Sequence, residues 1–102
     1  IQKAKDYIEQ HYMEAELSQN KVASSVGIST GYLSGLFKKE TGVNFIEYLT
    51  NIRMEHAMEL IRNSDKKNYE IAEETGFSNP HYFSISFKKY SKMSPSEYRN
   101  RR

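Results

Sequence analysis

Two lysine pairs, Lys38-Lys39 and Lys88-Lys89, stand 50 positions apart, and each follows small or hydrogen-bonding residues at the start of a helical pattern. Thr30, Gly31, Ser34 and Gly35 precede the first pair; Asn79, Pro80, His81, Ser84 and Ile85 precede the second. Ammonium groups can neutralise phosphates, while hydroxyl, imidazole and small apolar groups can meet the edges of bases. A lysine pair also suits the negative end of any helix, but its recurrence in both places favours phosphate contact. His81, at the start of the second helix, fits a base or phosphate contact as well as it fits plain solvation. Other chemistry is poorly supplied. There is no Cys, no Ser/His/Asp spacing, no glycine-rich phosphate loop and no ligand cluster, and His11, His56 and His81 lie too far apart for a local metal motif. The expectation is therefore no enzyme, no cofactor and no metal.

The elements that must position these residues are helices. Phe45, Leu49, Ile52, Ala57, Leu60 and Ile61 form one stripe over about five turns, and no stretch alternates with a period of two. Cap chemistry marks the boundaries. Asn44 with Glu47, and Ser94 with Glu97, have the spacing of a capping box, and Asn79-Pro80 makes a third start. Helices are expected near 2–13, 18–26, 30–41, 44–63, 68–75, 79–91 and 95–101, giving an all-α fold of about seven helices.

The chain also repeats itself. Val22-Ala23, Gly27-Ile28-Ser29 match Ile71-Ala72, Gly76-Phe77-Ser78 at an offset of 49; Tyr32-Leu33-Ser34, Phe37-Lys38-Lys39 and Glu47-Tyr48 match Tyr82-Phe83-Ser84, Phe87-Lys88-Lys89 and Glu97-Tyr98 at 50. In each copy an Ala lets two helices cross closely, and a Gly four or so residues later allows the chain to turn between them. A helical hairpin needs the same Ala and Gly, but the placement of polar residues away from Leu33, Leu36 and Phe37, or Phe83 and Phe87, favours a helix-turn-helix whose second helix enters a major groove. The expected organisation is a helix-turn-helix unit over 1–42, a linker helix over 43–64, and a second unit over 65–102. A linker of about 20 residues at ~1.5 Å each is ~30 Å long, close to the ~34 Å between successive major grooves.

With these residues in view, the sequence resembles the DNA-binding domain of the AraC/XylS family of bacterial transcription regulators. The likeness rests on Tyr69-Glu70-Ile71-Ala72, Gly76-Phe77, Pro80 to Ser84, Phe87 to Tyr90, and Ser94 to Arg99; it continues less tightly through Leu17-Ser18 to Gly42, Phe45, Tyr48, Leu49, Arg53 and Ala57. It looks most like the C-terminal output domains of YesN-like response regulators. The resemblance implies two helix-turn-helix units on a long helix, double-stranded promoter DNA as ligand, and RNA polymerase as a further partner. It implies base contacts by Thr30, Gly31, Ser34 and Gly35 in one reading helix and by Pro80, His81, Ser84 and Ile85 in the other. Asn79, Arg99 and the four lysines complete the expected DNA-contact set. Two of the first four are glycine, so that helix would dock by phosphates and close backbone approach more than by base hydrogen bonds. Many members carry Arg at the place of Ile85, which offers apolar contact only.

Charge agrees with this once it is divided along the chain. Residues 1–75 carry nine basic and twelve acidic residues, and residues 76–102 six and one, so the overall +2 combines a mildly acidic start with a +5 end. At 102 residues the chain has room for the DNA-binding piece but not for a sensor. It starts without Met, and an upstream receiver, sugar-binding or membrane-bound sensor domain is expected, with a possible dimer in the parent protein. The absence of Cys fits a reducing compartment, and the expected location is the cytoplasm. The competing reading is a helical adaptor for a polymerase subunit or sensor partner, which would expose apolar side chains on its first or long helix.

Overall fold

Seven helices and no strands make up residues 1–101, the part described by the computed structural model. Arg102, the last residue of the expected second unit, lies outside it. The helices are α1 (Gln2–His11), α2 (Gln19–Val26), α3 (Thr30–Thr41), α4 (Phe45–Asn63), α5 (Asn68–Glu74), α6 (Pro80–Ser91) and α7 (Pro95–Asn100). None is long and apolar enough to cross a membrane.

Local chemistry accounts for most starts. The side chains of Ser18, Ser29, Asn44 and Ser94 accept from the backbone N–H three residues on, and Asn79 Oδ1 accepts from both His81 and Tyr82. The full capping box forms at Ser94 and Glu97, whose carboxylate accepts from the Ser94 N–H at 2.8 Å. At Asn44 only the first half forms: Asn44 takes the Glu47 N–H at 2.8 Å, and Glu47 is exposed without the return bond. The first helix stops at His11 rather than 13. There the chain turns through Glu14 N–H to His11 O and Leu17 N–H to Glu14 O, and the Tyr12 carbonyl is taken by a side chain, Arg53, instead of a helical amide.

The helices enclose two cores that share α4. Ile8, Val22, Leu33, Phe37, Phe45 and Leu49 lie in the first; Met54, Ala57, Ile61, Ile71, Phe83 and Phe87 lie in the second. The N-terminal half of α4 thus belongs to one cluster and the C-terminal half to the other. The stripe that looked continuous in the sequence is divided near residue 53. The molecule is elongated accordingly, 43 × 22 × 21 Å.

The repeat in sequence is also a repeat in bonding. Ile28 N–H donates to Ala23 O at 3.0 Å, and Phe77 N–H to Ala72 O at 2.9 Å. Thr41 Oγ1 bridges the Phe37 and Val43 carbonyls, as Ser91 Oγ bridges those of Phe87 and Met93. Phe37 meets Tyr48 edge-on at 5.2 Å between ring centroids, and Phe87 meets Tyr98 at 5.7 Å. Each unit is therefore built by the same local rules around its own aromatic pair.

Candidate nucleic-acid interface

α3 is held by its Leu33 and Phe37 side, both fully buried, and capped by Ser29. The opposite side is left to solvent, with Gly31, Ser34, Gly35, Lys38 and Lys39 all exposed. A Cβ added at Gly31 or Gly35 would meet nothing within 4 Å. No close packing inside the fold therefore demands glycine at either position, and the two leave a bare backbone strip between the exposed lysines and the helix start. Thr30 is set apart from this strip: it is half-buried, and its hydroxyl donates to Asn20 Oδ1 at 2.6 Å, bracing α3 against α2.

α6 is held in the same way by Phe83 and Phe87, with Phe77 edge-on to Phe83 at 5.3 Å. His81, Ile85 and Lys88 share the outer face, and Ile85 is 54% exposed. Ser84 is half-buried beside them, its hydroxyl donating to Pro80 O at 3.2 Å while its lone pairs remain able to accept. Pro80 is exposed at the first helical position, and the Asn79 side-chain oxygen is occupied by its two cap bonds. Lys89 faces a cleft between α6 and the start of α4, with Asn51, Thr50 and Tyr82 on its walls.

Most of the expected residues thus lie along two helical faces, while Thr30 braces α3 against α2, Lys89 lines the cleft, and Arg99 stands apart from both faces. Arg99 lies on α7, half-buried, and its Nη2 donates to Lys66 O at 2.6 Å and to Asn68 Oδ1 at 3.2 Å, tying α7 to the loop before α5. Any contact with DNA would fall to its remaining donors. Two tyrosines that were not among the expected contacts also flank the faces: Tyr32 is 60% exposed on α3, and Tyr82, at the matching position of α6, 56%. The repeat offset was the available signal, since both copies keep Tyr at this position off the core stripe. Tyr69 and Tyr90 are exposed as well.

Comparisons with known proteins agree with the geometry. Residues 22–101 match the family model of a helix-turn-helix domain. The C-terminal domain of AraT, a response regulator from Geobacillus stearothermophilus, superposes with a TM-score of 0.96 at 42% identity, covering 99% of this chain and 84% of that one. The chain belongs to the AraC-type helix-turn-helix family. As an AraC-type domain it is a DNA-binding domain of the kind carried by transcription regulators, and the adaptor alternative is not favoured. It is 43% identical over 95 residues to YijO, an HTH-type transcriptional regulator of Escherichia coli K12, and 51% identical over 72 residues to the transcriptional regulatory protein YesN of Bacillus subtilis. These alignments take in 93% and 69% of this AraC-type chain, but only 33% and 20% of those two proteins.

Proposed function

We propose that this AraC-type domain binds duplex DNA by placing α3 and α6 in successive major grooves, within a longer cytoplasmic regulator that acts on RNA polymerase at promoters. The observation that carries the reading is the duplicated exposed face on one molecule 43 Å long. α4 has 19 residues, or about 28 Å at ~1.5 Å each, and tilt or modest DNA bending at a cost of order 1–6 kcal/mol makes up the shortfall to ~34 Å. In α6, His81 and Ser84 supply hydrogen-bonding groups and Ile85 an apolar contact suited to a thymine methyl. In α3, Gly31 and Gly35 admit the backbone close to the DNA, Ser34 contributes a hydroxyl, and Thr30 serves mainly the α2–α3 brace. Lys38, Lys39, Lys88 and Lys89 neutralise phosphates, with Arg99 of the second unit adding its remaining donors. The upstream input is a receiver or sensor domain, and pairing of two such regulators would present four reading helices.

Titration of labelled duplexes at two or more salt concentrations tests this. Each phosphate neutralised should contribute about −0.9 to the slope of log affinity against log salt. Changing Lys88 and Lys89 to Ala should weaken binding to all sequences alike and flatten the slope by about 2. Changing Ile85 or Ser84 should instead alter base preference. Salt-independent affinity would refute the reading.

A further inference from the structure

At Arg53 three parts of the fold meet: the end of α1, the linker helix and the turn of the second unit. Arg53 sits on α4 between Ile52, which packs on the first core, and Met54, buried in the second. Its Nε donates to the Tyr12 carbonyl and its Nη2 to the Glu14 carbonyl, both at 2.8 Å, so the guanidinium fork closes the end of α1. The same guanidinium lies over the Phe77 ring, 5.6 Å from its centroid, in the turn of the second unit. The fit is tight on that side too. A Cβ at Gly76 would stand 2.5 Å from the Tyr12 carbonyl oxygen and 2.8 Å from Arg53 Nε. One turn along α4, His56 stacks on the Tyr12 ring at 4.0 Å and its Nε2 lies 2.6 Å from Glu9 Oε1, so α1 is held to the linker at a second point.

We propose that Arg53 is a positioning residue: wedged between the end of α1 and the Gly76-Phe77 turn, it fixes the separation and twist of the two reading helices and hence the half-site spacing the domain accepts. This rests on the two-groove reading above. The physical case is that the linker helix alone does not determine the relation between the units. It fixes a length along its own axis, while the core of the first unit gathers on its N-terminal half and the core of the second on its C-terminal half. What stops one unit rocking about α4 is a lateral contact between them. Here that contact includes backbone carbonyls from the first unit and an aromatic ring and a bare glycine from the second, with one planar cation between them. Arg fits this place because a fork can hold two carbonyls at once while its flat face covers a ring; Lys offers a single point charge. Two tethered binding units gain from each other only when geometry lets both engage, so loosening the wedge should act on spacing before it acts on either half-site alone.

The experiment uses duplexes selected from a random pool by the unaltered domain, rebuilt with half-sites spaced from about 9 to 12 base pairs centre to centre, together with duplexes in which one half-site is scrambled. R53Q and R53K are compared with the unaltered chain, with circular dichroism as the check of folding. At the optimal spacing R53Q is expected to lose about tenfold in affinity, to bind the neighbouring spacings almost as well as the optimum, and to keep its affinity for single half-sites. R53K, able to hold one of the two carbonyls, should fall between. Equal loss at every spacing and at single half-sites, with the optimum unmoved, would overturn the proposal, because a residue that only supports the fold behaves that way. If R53Q does not fold, R53K decides alone: a spacing profile identical to that of the unaltered domain counts against the proposal, a flattened one for it. An unaltered domain with no preferred spacing would refute the two-groove reading itself, and the proposal with it, so the two failures are told apart before any variant is tested.

Discussion

Lys92 closes α6 with φ 70°, where its repeat partner Gly42 closes α3 with φ 78°. It is the only non-glycine residue at positive φ among those described. A side chain in this region costs on the order of 1–2 kcal/mol, against 0.5–1 kcal/mol for the extra freedom glycine loses on folding. Lys92→Gly should therefore raise stability by about 0.5–1 kcal/mol, seen as a higher midpoint in urea unfolding. Gly35 makes the opposite case. Its place in the helix is ordinary and the space around it is open, so Gly35→Ala should stabilise the fold by about 0.5–1 kcal/mol. If α3 brings its backbone close to DNA, the same change should weaken binding; equal or tighter binding would remove the close-approach role. Both are local departures from a local rule, a glycine within a helix and a missing glycine at a helix end, although the positive φ of Lys92 emerged only in the structure.

At the scale of elements, the helix starts were legible for the same reason: a cap and its partner lie within three residues. The Ser94–Glu97 box gives a measurable consequence. Its backbone and side-chain hydrogen bonds with Ser94 hold the Glu97 carboxyl below its ordinary range. A carboxyl depressed in the folded state contributes stability above the unfolded-state pKa near 4.3, and that contribution is lost as pH falls through the lower folded value. Acidification from about pH 5 to pH 3 should therefore loosen α7, and Glu97→Gln should remove that part of the pH dependence, as followed by amide exchange at Glu97 and Tyr98. Ser94→Ala should cost about 1 kcal/mol at neutral pH, and less once Glu97 is protonated. The Asn44 start shows the boundary of such reading. Sequence spacing suggested a reciprocal box, but the Glu47 side chain does not return to the cap, since spacing permits a rotamer without selecting it.

For the molecule as a whole, the two cores make a different kind of statement. Phe37 and Phe87 are fully buried at matching positions, each edge-on to the tyrosine of its own unit. Truncating either to Ala should cost about 3–5 kcal/mol, a large share of the ~5–15 kcal/mol that domains of this size possess. Because the clusters are separate, Phe37→Ala should speed amide exchange in α2 and α3 more than in α5 and α6, and Phe87→Ala should do the reverse. Equal acceleration everywhere would mean that the units open only together.

The sequence by itself determined the helices, the duplicated unit and the exposed faces of α3 and α6, because caps, apolar stripes and repeat offsets all act between residues a few positions apart or in copies of the same local pattern. It placed Arg53 on the linker helix but gave it no partner. Only the tertiary structure decided which groups its guanidinium holds, along with where the α4 stripe divides between cores and how the Arg99 guanidinium is engaged. The carbonyls that Arg53 holds belong to residues 41 and 39 positions earlier in the chain, and the glycine that admits it lies in the other unit. No periodicity carries such a contact, since it exists only once two independently specified units are laid against each other.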